Sequence, residues 1–240
     1  MNNKPLTTFL LQKIDGEIKH DFSFTLIESI NYQNWINYPT NIFGISHVEL
    51  DDDLPPKHIP IGSVEFVLEY LKKHFNLFPK PKNIPKELMS FEFTGRKVIN
   101  GTEKDIIETS FVKSNDDIKK FTEYCKEAPI GNYQISEIIE IDSEWRGFVF
   151  NNELVGLQNY TGEFDLFPDV RQIKKMIRAY KSAPIAYTID VGISKKKTVI
   201  IEVHDFFSCG LYGFSDHRKL PFMFLRWFYN YTHNINYNNK

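Results

Sequence analysis

The sequence predicts an α+β chain, and three observations carry that prediction. Runs rich in β-branched residues, at 133–141, 186–191 and 198–203, have the length and composition of strands. Stretches at 63–75, 169–181 and 220–231 repeat apolar residues at helical spacing. Short charged or Asn-rich segments join neighbouring strand runs, which implies hairpins and mostly antiparallel connections. The composition agrees: of 240 residues, 42% are hydrophobic and 15% aromatic, enough to fill a sizeable core. A wholly disordered, collagen-like or coiled-coil chain is excluded.

In chain order, Phe9-Leu10-Leu11 is a short apolar patch. Asp51 to Pro60 holds three acids and three prolines and reads as a loop. Ser63 to Phe75 reads as a helix, with Val64, Val67, Leu68, Leu71 and Phe75 on one side. Ser63 suits its N-cap, and Glu65 and Glu69 suit its early turns. Phe78 to Pro85 is Pro-rich and reads as a linker, so a small N-terminal lobe is expected at 1–85 and a second domain at 86–240. In the second domain Ser110 to Lys113 is extended, and Asp116 to Lys126 reads as a helix with Ile118, Phe121 and Cys125 on one side. Tyr133 to Ile141 reads as a strand. Trp145–Phe150 and Leu154–Asn159 flank Asn151-Asn152-Glu153, a hairpin pattern. Asp169 to Lys181 reads as a helix with Val170, Ile173, Ile177 and Tyr180 inward. Ala186–Val191 and Thr198–Val203 are strands across a charged turn, Gly192 to Lys197, and Leu220 to Tyr231 is a final aromatic helix.

The charge count is 29 basic against 31 acidic, a net of -2, so no overall basic field points to nucleic acid or an anionic membrane. Cys125 and Cys209 lie far apart and lack the paired Cys/His spacing of a zinc site, which reads as a reducing compartment. No apolar run approaches the roughly 20 residues of a membrane span, and the start has no signal-peptide pattern. The cytoplasm is the expected location.

Three groups of residues suit chemistry. Asp190 and Glu202 fall on consecutive strands and can share a face, with His204 two residues beyond Glu202 on that same face. Two carboxylates and a third polar group on rigid strands suit a hard divalent cation, although a solvated acidic strand end has the same pattern. Lys113 closes an apolar strand, where a cation is costly without an anion, and Lys119 follows at the start of the next segment. Together they suit phosphates, or equally a solvated face with one snorkelling lysine. Glu144 and Arg146 alternate to one strand face, where the guanidinium suits a phosphoryl group or a plain ion pair. No phosphate-binding P-loop, dinucleotide fingerprint, nucleophile elbow or zinc-protease motif occurs.

These groups occur in the order found in ATP-grasp enzymes. The stretches that carry the likeness are Ile61–Val67, Phe111–Phe121, Ser136–Val149, Ala186–Asp190 and Ile201–Gly213, spanning most of 60–213. The chain resembles the compact R-two-K clade of that superfamily, which is named for an arginine and two lysines. The resemblance implies an ATP-grasp fold, two α+β lobes clasping ATP after a small N-terminal α/β lobe, with a lysine-bearing lid lobe at 86–140 and a metal-bearing lobe at 141–240. It implies ATP and Mg2+ as cofactors. Lys113 resembles the strand lysine at the α-phosphate and adenine edge, and Lys119 stands where relatives carry a phosphate loop or its lysine. Glu137, Ile138 and Ile139 resemble the hinge strand beside the adenine, and Glu144 the carboxylate on the ribose hydroxyls. Arg146 looks like the clade's arginine, facing the γ-phosphate, so that Arg146 and Lys119 would be the catalytic pair. Asp190 and Glu202 resemble the magnesium carboxylates. His204 departs from the asparagine of many relatives, with Asp205 as its substitute if the strand twists.

The activity so implied is an ADP-forming ligase that joins a small-molecule or peptide carboxylate to an amine acceptor through an acyl-phosphate. Gly62–Glu65 and Gly210–Gly213 would border the acceptor, and a homodimer is possible. A nucleic-acid or membrane partner is not expected. Two alternatives remain: a metal-dependent nuclease, and a non-catalytic nucleotide-binding protein of the same fold.

Overall fold

The computed structural model describes residues 5–118 and 121–238. Lys119, expected at the nucleotide phosphates, lies outside the described residues. The chain forms two compact units, one of 1–78, 184–186 and 206–240, the other of 79–183 and 187–205. The expected division at 85 therefore differs from the packing at the C-terminal end: 206–240 return to the first unit. Their aromatic side chains belong to that unit's core, as in Phe206 against Phe224 and Tyr70 against Phe228.

The first unit is built on a parallel sheet of order β2-β1-β3, with β1 at Thr7–Lys13, β2 at Phe43–Glu49 and β3 at Ile59–Ile61. The patch Phe9-Leu10-Leu11 is the fully buried centre of β1. Helix α1, Asp21–Ile36, has no counterpart in the sequence reading. Its buried face mixes Phe22, Leu26 and Ile30 with Ser23, Ser29 and Gln33, which dilutes the apolar period. Helix α2, Val64–Phe75, begins as expected: the Ser63 hydroxyl accepts the Phe66 amide at 3.2 Å, and Asn76 ends it in the left-handed conformation. The C-terminal helix, Leu220–Asn238, completes the unit.

The second unit holds two four-stranded sheets. One has order β4-β7-β5-β6, from β4 Val98–Thr102, β5 Ser110–Ser114, β6 Thr122–Cys125 and β7 Asn132–Ser136, and is antiparallel throughout. The other has order β11-β10-β8-β9, from β8 Ser143–Phe150, β9 Glu153–Gly162, β10 Ala186–Ser194 and β11 Lys197–Asp205, with antiparallel pairs β10–β11 and β8–β9. A short helix α3, Phe91–Thr94, and helix α4, Val170–Ala179, accompany them. Asp169 caps α4 by accepting the Arg171 amide at 2.8 Å. Ile173, Met176 and Ile177 of α4 enter one core with Trp145, Val149, Tyr187, Ile189, Val191, Ile200 and Val203, so the opposite sheet face is left to the polar residues of β8, β10 and β11.

Three local expectations are corrected. Among the described residues of 116–126 there is no helix; Thr122–Cys125 instead pairs with β5, Lys113 opposite Thr122. Alternating Phe121, Glu123 and Cys125 fit a pleat as well as a helix, and the sheet partner decides. The strand at 133–141 stops at Ser136, where Glu137 bonds the Lys97 backbone and the chain leaves the sheet. The turn at 192–197 shrinks to Lys195 and Lys196, both at positive φ, and both strands extend to meet it. Lysine is an unusual choice for that backbone, so the sequence hides the tight hairpin. Among the described residues, no helix is long and apolar enough to cross a membrane.

Candidate active site

Strand parity brings the site together. On β10, Ile189 and Val191 enter the core, so Thr188 and Asp190 face the other way. On β11, Ile200 and Val203 both enter the core although they are three residues apart. A register shift between Asp190 and Val191 makes this possible: Asp190 pairs with Glu202, and Val191 with Ile200. Beyond the shift, Glu202 and His204 stand on the face of Asp190.

Arg146 of β8 closes on Asp190 as a fork, Nε to Oδ1 at 2.8 Å and Nη2 to Oδ2 at 2.7 Å. Asp190 is only 1% exposed, so this pairing compensates a charge that has left water. Arg146 also lies over the Tyr160 ring, 5.7 Å from its centroid, and the Tyr160 hydroxyl donates to Glu144 Oε2 at 2.5 Å. Burial, together with the Asp190 and Glu144 carboxylates, drives the Tyr160 phenol well above its ordinary range, so it stays a donor.

Glu202 is held from two sides. Lys113, reaching from β5, forms an ion pair with its Oε2, and His204 Nε2 stands 3.0 Å from its Oε1. Burial works against the Glu202 charge, yet His204 and Lys113 outweigh it and hold the carboxyl far below the usual carboxylate range. His204 Nε2 is also 3.6 Å from Asp190 Oδ2. Burial opposes a proton on the imidazole, but Glu202 and Asp190 prevail and push it up to about 9. One ligand atom from each of Asp190, Glu202 and His204 lies within 4.8 Å of the others.

The structure thus gathers Lys113, Glu144, Arg146, Asp190, Glu202 and His204 in the second unit. Glu137, Ile138 and Ile139 lie past the end of β7, where Glu137 Oε2 accepts the Lys97 amide at 2.9 Å and Ile138 is exposed. Asp205 does not stand in for His204. It is the cross-strand partner of Tyr187, on the core side, with Lys82 Nζ 3.7 Å away. Sequence reasoning missed Tyr160, whose only cue was its place on the hairpin strand opposite Glu144 and Arg146. It also missed Arg96, a buried guanidinium that donates through Nη1 to the carbonyls of Thr94 and Ile200, both at 3.0 Å, and so covers the outer edge of β11.

A model of the ATP-grasp domain, R-two-K clade family 2, matches residues 93–220, more than half of the 240. The chain belongs to this ATP-grasp family. The match covers every residue of the cluster. A comparison with curated proteins finds no match. Among solved structures, this ATP-grasp chain is similar to a D-alanine–D-alanine ligase from Bacillus anthracis, at 12% identity and a TM-score of 0.51, covering 94% of this chain and 98% of that one. It is also similar to an N5-carboxyaminoimidazole synthetase from Staphylococcus aureus, at 10% identity and a TM-score of 0.52, covering 84% and 71%. A RimK-domain ATP-grasp protein from Sphaerobacter thermophilus gives 10% identity and a TM-score of 0.50, covering 94% and 99%. At such identities the likeness is one of fold.

The donor set fits a hard divalent cation through its two carboxylates, which stand on adjacent rigid strands with ligand atoms in reach of one point. The imidazole is the less suited member for magnesium and the better suited for a softer ion.

Proposed function

We propose that this ATP-grasp protein is a magnesium- and ATP-dependent ligase that joins a carboxylate to an amine and releases ADP. The observation that supports it most is the convergence of Arg146, Asp190, Glu202 and Lys113, from four strands, on one carboxylate cluster. Family membership says why such a cluster would be built. When bound, magnesium would offset phosphate charge and orient the transferring group. Asp190 and Glu202 hold the ion in this reading. Lys113, freed from Glu202, turns its ammonium to the phosphates. Arg146 holds the Asp190 carboxylate in place and, in this reading, stands beside the phosphoryl group, where charge develops. Glu144, oriented by Tyr160, takes the ribose hydroxyls, and the segment from Glu137 borders the base. Lys119 remains assigned to the phosphates from the sequence likeness. Substrate carboxylate and amine react with each other, so the protein's task is positioning, and no side-chain nucleophile is needed. A small molecule or peptide is the substrate class in this reading.

The test is incubation with magnesium-ATP and pools of amino acids and short peptides, with nucleotide and product both followed. ADP and an amide formed in equal amount support the ligase. AMP release, or ADP with a phosphorylated acceptor and no amide, replaces it with another chemistry.

One observation favours a second reading. In the cluster each carboxylate already has a cation of the chain beside it, His204 among them. A protein that binds nucleotide without turning it over would fit that balance, and would show ATP binding with no ADP across the acceptor pools.

A further inference from the structure

Thr188 stands on β10 two residues before Asp190, so the two side chains leave the same face of the strand. Its partner across the ladder is His204. The residue is 0% exposed, and Oγ1 has no hydrogen-bond partner. A buried hydroxyl without a partner is destabilising, and folded proteins keep few of them. Valine has the same branched shape and would fill this β-strand position without that cost. The hydroxyl is therefore not explained by packing. The polar atoms nearest along both strands are engaged elsewhere: Asp190 with Arg146, and His204 Nε2 between Glu202 and Asp190. The contrast with Tyr187, one residue earlier, is informative. Its hydroxyl is also buried and unpartnered, but it lies on the core face, packed edge-on against Tyr180. Thr188 alone of this pair lies on the face that carries the carboxylates.

We propose that Thr188 is a ligand-positioning residue of this site, whose hydroxyl hydrogen-bonds an oxygen of the group held by Asp190 and Glu202. The inference rests on the metal–nucleotide reading above. Two oxygens have the required chemistry, a water carried by the divalent cation and a phosphate oxygen of the nucleotide. A hydrated magnesium ion keeps several waters, each needing an acceptor, and a hydroxyl both accepts and donates. Entry of either oxygen would satisfy the atom that the ligand-free fold leaves unpaired.

The experiment compares wild type, Thr188→Val and Thr188→Ser by melting temperature without ligand, with magnesium alone, and with magnesium-ATP. Without ligand the valine variant is expected to melt at or above wild type. Its affinity for the ligand should be about 3- to 10-fold weaker, the worth of one hydrogen bond. The serine variant, which keeps the hydroxyl, should bind within about 2-fold of wild type. Weakening already seen with magnesium alone assigns the bond to the ion's water, and weakening seen only with magnesium-ATP assigns it to a phosphate oxygen. A valine variant that melts lower without ligand yet binds like wild type makes the hydroxyl purely structural and overturns the proposal. A wild type that responds to neither magnesium nor magnesium-ATP at millimolar concentration overturns the nucleotide reading itself, and this inference with it.

Discussion

Arg146 shows how one side chain serves two demands. Its fork removes the penalty of burying Asp190, and its flat face rests on Tyr160. Lysine offers a point charge and neither fork nor face, so Arg146→Lys should lower kcat about 10- to 100-fold with a smaller change in ATP affinity. Equal losses in both would assign Arg146 to ground-state binding. Glu202→Gln keeps the shape and removes the charge, and turnover should fall at least about 100-fold while the fold persists in far-ultraviolet circular dichroism. Full activity in that variant removes Glu202 from the metal site. Lys113→Ala should weaken ATP binding about 10-fold or more, the loss of a charge-assisted hydrogen bond, as read by calorimetry. His204 gives the pH dependence of the metal-free protein. Its proton is held to about 9 in the fold, against about 6.5 in an unfolded chain. The resulting stability is complete below the lower value and is lost as pH rises through the higher one. In the presence of a chelator the melting temperature should fall across that window, and His204→Asn should flatten the fall. A wild-type profile flat over the same range would show that the imidazole is not held by the two carboxylates.

At the scale of elements, the β10–β11 hairpin sets the geometry of the site. Its register shift reconciles core residues at Ile200 and Val203 with Glu202 opposite Asp190. Its turn is built from Lys195 and Lys196 in the left-handed region, where non-glycine residues are strained. Replacing them together, Lys195→Asn with Lys196→Gly, should stabilise the protein by about 1 kcal/mol in a urea titration, with turnover unchanged. A loss of stability would mean that the lysine side chains matter more than the backbone. Strand β8 approaches β10 closely at Gly147, where an added Cβ would lie 2.9 Å from Ile189 Cγ2 and 3.3 Å from the Ile189 carbonyl oxygen. Gly147→Ala should therefore cost about 1–3 kcal/mol and disturb the adjacent Arg146–Asp190 pair, lowering turnover as well as stability. The segment that carries β6, unlike that of β5, reads as a helix in the sequence, because a short segment with an apolar residue at every second to fourth place satisfies both periods.

For the molecule as a whole, the net charge of -2 supplies no general field for a polyanion, so under the proposed function recognition of a triphosphate would fall to a local group such as Lys113 and Arg146. Binding to the native state alone should raise the melting temperature by mass action. Magnesium-ATP should do so in wild type, and removal of the metal with a chelator should abolish most of the rise. No rise at millimolar ATP would return attention to metal-dependent nuclease activity, tested on plasmid DNA without nucleotide.

Much of this was legible in the residues. Helix α2 and its cap, helix α4, the Asn151–Asn152 hairpin, and the shared face of Glu202 and His204 follow from period and local chemistry, which depend on neighbours a few positions away, whereas Asp190 joins that face only through the register shift of the pairing. Other features were decided by tertiary structure. The pairing of Lys113 with Glu202 spans 89 positions, and that of Arg146 with Asp190 spans 44. The return of 206–240 to the first unit, the side taken by Asp205, and the unpartnered hydroxyl of Thr188 likewise depend on which strands meet and in what register. Side-chain chemistry and short-range period are written in the sequence itself. Burial and partnership arise only when distant segments exclude water together, and they turn a set of ordinary acids and bases into a site.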